Sequence, residues 1–152
     1  YIMNMLSFDL NSKNQPIIAY MIQNRLDLIN QKNKTIRIKR KLFYNPKEPN
    51  IVSKKDGDNW SFRASYDPIS FDICLDNQDR TYVLTNHKTT QKEIKEENKI
   101  EMILEIFDKD YKIIEIVPIY DYTSNCLYIN KENKIYLFDS DKRQVIRFKS
   151  LF

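Results

Sequence analysis

One glycine and one histidine in 152 residues remove several chemistries at the outset. A phosphate-cradling loop needs glycines where backbone amides approach the ligand, and Gly57 stands alone. Hydrolysis by a serine or cysteine nucleophile needs a base with an orienting acid beside it. His87 is the only imidazole, and no GxSxG-type elbow accompanies it. His87 therefore reads as an exposed residue at a strand end. Cys74 and Cys126 have neither CxxC spacing nor clustered histidines, which argues against zinc and redox motifs. Their apolar strand contexts read as buried thiols, with a disulfide between them left open. No stretch approaches the roughly 20 apolar residues of a membrane-spanning helix. The opening YIMNMLSFDL has no basic n-region and no small-residue cleavage site, so it does not read as a signal peptide, and no lipobox is visible. Tyr1 at the start reads as a lost leader or as part of a longer protein.

Strong charge of one sign is also missing. Twenty-five basic residues against 21 acidic ones give +4, interleaved, so nucleic acid is not an expected partner. The one basic run, Lys34 to Lys47, reads as an outer strand with Ile36 and Ile38 inward and Arg37 and Lys39 outward, or alternatively as an anion-binding patch.

What the chain has is short β-rich runs separated by polar turns. Apolar residues make up 41% and charged ones 30%, which suits one folded unit with a real core. The clearest unit is Asn125 to Phe148, NCLYINKENKIYLFDSDKRQVIRF, a three-strand meander whose turns are built by Asn, Asp and Ser in place of glycine. Residues Leu6 to Lys41 repeat the logic with four strands, and ISFDICLD followed by RTYVLTNH opens another copy at Ile69. The repeats fall at approximately 5–41, 69–119 and 124–149. Strands are expected near 5–10, 16–22, 25–30, 35–41, 70–76, 80–86, 101–108, 111–117, 125–130, 134–139 and 143–149. Thr89 to Lys99 reads as an exposed insertion, and MILEIFDKDYKIIEIVPI as a hairpin about a DKD turn, with a helix through Phe107 as the rival. From Asn45 to Asp67, Pro46, Pro49 and Asp56-Gly57-Asp58 argue for a connecting loop without a long regular element; its Trp60, Phe62 and Tyr66 serve binding or cover a core edge. The expected core is Leu127, Ile129, Ile135, Leu137, Ile146 and Phe148. Its counterparts in the earlier copies are Ile17, Ile18, Leu26, Leu28, Ile73, Leu75, Val83 and Ile106.

Three DxD pairs invite a metal reading: Asp56/Asp58, Asp108/Asp110 and Asp139/Asp141. None has the full ligand set of a calcium loop and each reads as a turn, with Asn59 able to add a ligand beside Asp56 and Asp58. No catalytic, cofactor-binding or metal-ligating residue is therefore assigned.

SFDICLDNQDRTYVLTNH, LEIFDKDYKIIEIVPI and NCLYINKENKIYLFDSDKRQVIRF together resemble the C-terminal part of TolB-like six-bladed β-propellers, in particular bacterial lipoproteins of unknown function. Tyr111 stands where that pattern usually has glycine. The resemblance implies an all-β, propeller-like fold, a cell-envelope or extracellular location, and no catalytic residues. It implies a non-enzymatic scaffold or binding module whose blade loops meet a protein or glycan. The alternative is a calcium-dependent lactonase- or esterase-like hydrolase, for which Asp72, Asp76 and Asn86 are the first suspects. Three blade-like copies leave apolar faces at both ends of the stack, to be covered by missing blades or by a second copy.

Overall fold

The structure, a computed structural model, describes residues 6–40, 50–87, 101–119 and 124–148, without the side chains of 51, 62–65 and 125. Among the described residues there is no helix and every strand pairing is antiparallel. The first sheet is a meander of β1 (Leu6–Leu10), β2 (Pro16–Tyr20), β3 (Leu26–Ile29) and β4 (Thr35–Ile38). A two-stranded ribbon follows, β5 (Asn50–Asp56) and β6 (Asn59–Ser65). The second four-stranded meander is β7 (Ser70–Leu75), β8 (Thr81–Asn86), β9 (Met102–Phe107) and β10 (Ile113–Ile119). The third has three strands, β11 (Ser124–Ile129), β12 (Ile135–Asp139) and β13 (Gln144–Arg147). The expected hairpin about the DKD turn is thus β9 and β10; the insertion at 89–99 lies outside the described residues.

Among the described residues, one turn chemistry recurs five times. Asn11, Asn30, Asp76, Asp108 and Asn130 each accept, through Oδ1, the backbone N–H groups two and four residues ahead, at 2.9–3.0 Å. The residue three ahead then takes the left-handed conformation: Asn14, Asn33, Asp79, Tyr111 and Asn133, with φ between 54° and 60°. Asn and Asp adopt this conformation at low cost, which explains how so many reversals form with one glycine. Tyr111 is the costly exception, on the order of 1–2 kcal/mol. Its half-buried ring packs against the core between the first two sheets, and its hydroxyl lies 3.4 Å from Asn11 Nδ2.

The three meanders stack. The face of the first sheet with Ile17, Ala19, Leu26 and Leu28 meets Ile73, Val83 and Phe107 of the second. The opposite face of the second, with Tyr82, Leu84, Leu104 and Ile106, meets Leu127, Ile129, Ile135 and Leu137 of the third. Every residue of β8 and of β9 is buried, because that sheet is covered on both sides. Strands β1 and β11 both lie against β7, so the first strands of the three sheets gather on one side of the stack.

Several expectations need correction. The segment from Asn45 to Asp67 is not merely a connecting loop: residues 50–65 form two seven-residue strands. Asp56 and Asn59 close them around Gly57, whose φ of 58° is the first position of a two-residue hairpin turn. The prolines hid this because they precede the ribbon. Ile18, Leu75, Ile146 and Phe148 are half-buried, not core, since they sit toward sheet margins or on an uncovered face. Ile36 is 46% exposed although Ile38 is buried, because β4 is an edge strand whose start overhangs the core. Cys126 is exposed and Cys74 half-buried, and both are free thiols.

Candidate functional site

Residues that resemble chemistry are mostly occupied in holding sheet to sheet. Asp9 on β1 accepts the amide of Leu10 and, at 2.8 Å, that of Leu75 in the second sheet. Asp72 on β7 repeats the arrangement, accepting the amides of Ile73 and, at 2.8 Å, Leu127 in the third sheet, with the Ser7 hydroxyl as an added donor. At the turn end, Ser12 donates its amide and hydroxyl to Asp79, at 2.7 and 2.5 Å, and Asn77 donates its amide to Asn133 at 3.4 Å. Hydrogen bonds from backbone amides to carboxylates are charge-assisted and tie one sheet to the next.

A buried ionic cluster joins the first two sheets. Arg40, just past β4, places its guanidinium against Glu105 on β9, at 2.5 and 2.8 Å, with Ser70 Oγ at 2.7 Å and the Thr85 hydroxyl as further acceptors. Thr85 Oγ1 donates to the same Glu105 Oε2 at 2.6 Å. Both charged side chains are essentially inaccessible, 1% and 0% exposed. No sequence motif announced this pair, because its partners lie 65 residues apart.

The hydrolase suspects do not converge. Asp72 is mid-strand on β7 and committed as above. Asp76 builds the β7–β8 turn and holds Arg80 at 2.6 Å and the Tyr82 hydroxyl at 3.1 Å. Asn86 is at the far end of β8, donating to the carbonyl of Pro68 at 2.8 Å. Among the described residues no three His, Cys, Asp or Glu side chains group as metal ligands would. Asp108 and Asp139 cap their own turns, and Asp56 and Asp58 flank Gly57 in the ribbon. His87 is half-buried after β8, its amide donating to the carbonyl of Glu101 at 2.8 Å. Burial, reinforced by the negative charges of Asp72 and Asp9, pushes the Cys74 thiol up to about 12, and its sulfur lies 3.0 Å from the carbonyl of Leu127. Such a thiol is a poor nucleophile. Burial, then the neighbouring Asp76 carboxylate, likewise raises the Tyr82 phenol.

Surfaces built for contact are of two kinds. The ribbon of β5 and β6 presents exposed side chains on both faces: Lys55 lies opposite Trp60, its ammonium 5.9 Å from the ring centroid, and Val52 and Lys54 occupy the other face. Trp60 is 58% and Val52 56% exposed. The second kind is the outer face of the third sheet, where Cys126, Tyr128, Tyr136, Phe138 and Val145 line an open cavity of about 340 Å³.

No family model matches the chain, and no curated protein does. Among solved structures, a member of the DUF4221 family from Bacteroides vulgatus ATCC 8482 is similar in fold, with a TM-score of 0.57 at 14% identity. The match covers 93% of this chain and 41% of that one, so this chain spans about two fifths of its structural neighbour's length.

Proposed function

We propose that the chain is a non-enzymatic binding module of the bacterial cell envelope, built on part of a TolB-like six-bladed propeller and recognising a glycan or protein through the β5–β6 ribbon. The observation that carries the reading is the ribbon itself, which exposes its one tryptophan beside basic side chains. A two-stranded ribbon is marginally stable by itself, and large apolar side chains exposed on it, Trp60 and Val52, mark a surface suited to contact. An amphipathic ring on a polar platform suits the apolar face of a sugar or a polar protein patch. The envelope location and the propeller type rest on the sequence resemblance. The calcium-dependent hydrolase has less support, since Asp72, Asp76 and Asn86 are separately engaged in structural hydrogen bonds.

Trp60 is the only tryptophan, so its emission reports on the ribbon alone. Titrating the protein with envelope polysaccharides and with envelope proteins should give a blue shift with one class, and Trp60→Ala should abolish binding without changing the melting temperature. A ligand that binds Trp60→Ala as tightly as the parent would sink the ribbon reading. A calcium-dependent rise of several degrees in melting temperature would favour the hydrolase.

A further inference from the structure

The stack repeats one contact, and its two unmatched halves lie at opposite ends of the chain. Counting from the residue that opens each first turn, Asn11, Asp76 or Asn130, Ile17 and Ala19 correspond to Tyr82 and Leu84 and to Tyr136 and Phe138. Phe8, Leu10 and Ile18 correspond to Ile73, Leu75 and Val83 and to Leu127, Ile129 and Leu137. In both internal contacts the first set of one sheet packs on the second set of the next. What is left over is the second set of the first sheet and the first set of the third. Both are open and carry exposed apolar side chains: Leu6, Phe8 and Leu10 are 45%, 59% and 48% exposed, while Tyr128, Phe138 and Val145 are 59%, 40% and 67% exposed.

The polar details follow the same rule. The residue one past the turn opener donates to the residue three past it in the next sheet: Ser12 to Asp79, then Asn77 to Asn133. The unmatched pair is Lys131 at the donor position and Asn14 at the acceptor position, a combination that can form the same bond. On the first sheet's open face, Asp27 stands where Glu105 stands in the second, three residues before the turn opener. Glu105 takes Arg40 from the preceding sheet, whereas Asp27 is wholly buried under Arg25 and Arg37 of its own sheet and its Oδ1 has no hydrogen-bond partner.

We propose that the open face of the third sheet docks the open face of the first sheet of a second copy of this chain, head to tail. The occupant is a second copy because this chain carries both halves of a contact that it already makes twice internally. A closed pair would bring together six stacked sheets, three from each copy. The heterologous geometry gives a clean test, because each variant below removes only one half of the contact.

Light scattering on the purified chain should give twice the chain mass, with the exposed-hydrophobe dye signal falling as the pair forms. Val145→Asp and Phe8→Asp alter side chains exposed in the single copy, so both should fold with parental circular dichroism. Each alone should weaken pairing about a hundredfold or more, since a carboxylate would be buried in the contact. Mixed together, they should associate again, the intact third sheet of one meeting the intact first sheet of the other. A parent that stays monomeric at every concentration and binds the dye assigns these faces to sheets of a longer polypeptide and overturns the proposal. Pairing lost with Val145→Asp but untouched by Phe8→Asp means like face on like face, and overturns it equally.

Discussion

Removing the Arg40 guanidinium leaves the buried Glu105 carboxylate without its cation. Glu105 is 0% exposed, Arg40 supplies two of the three donors to its Oε2, and its Oε1 has no hydrogen-bond partner. In Arg40→Ala only the Thr85 hydroxyl remains as a donor, and Ser70 Oγ loses its charged partner. Breaking one side of a buried pair costs about 3–5 kcal/mol, most of it the desolvation of the charge left behind. For a chain of this length that corresponds to a fall of about 6–20 °C in melting temperature. Urea melts and thermal circular dichroism would measure both. Salt should change the loss little, since a pair this inaccessible is weakly screened. Arg40→Met combined with Glu105→Leu should recover most of the stability, because apolar replacements of similar volume avoid the charge penalty. A single variant within about 1 kcal/mol of the parent, or a double variant no better than the single, would refute the reasoning.

Three further outcomes test the stack and its thiols. Leu137→Ala, at a side chain 1% exposed and packed between the second and third sheets, should cost about 2–5 kcal/mol in a denaturant melt; parental stability would place β12 wrongly. Cys74, its thiol held near 12, should alkylate about a thousandfold more slowly at pH 8 in the folded protein than after unfolding, as mass spectrometry of quenched samples would measure; comparable rates would remove the burial argument. Cys126 should label readily in dilute protein and become protected as copies pair.

Strand positions were legible in the sequence because they depend on local causes: β-branched and aromatic runs, a period of two, and Asn or Asp at every reversal. Among the described residues, eleven of the thirteen strands fall where those signals place them, and the rival helix through Phe107 gave way to β9 because its apolar side chains are needed on two faces at once. The ribbon of β5 and β6 escaped notice because β5, NIVSKKD, has no apolar alternation and the nearby prolines and Asp56-Gly57-Asp58 read as loop, although Trp60, Phe62 and Ala64 alternate along β6. Only the stacking of sheets decided which residues of a strand are covered. Leu127 and Cys126 are neighbours of similar hydrophobicity, yet one faces the second sheet and the other an open cavity. The same holds for the polar groups. Asp72 looks like a candidate ligand in sequence, but a backbone amide of the next sheet claims it, as another claims Asp9, and Arg40 finds Glu105 only after two meanders have stacked. Contacts of that range depend on the relative placement of whole sheets, which no local pattern encodes.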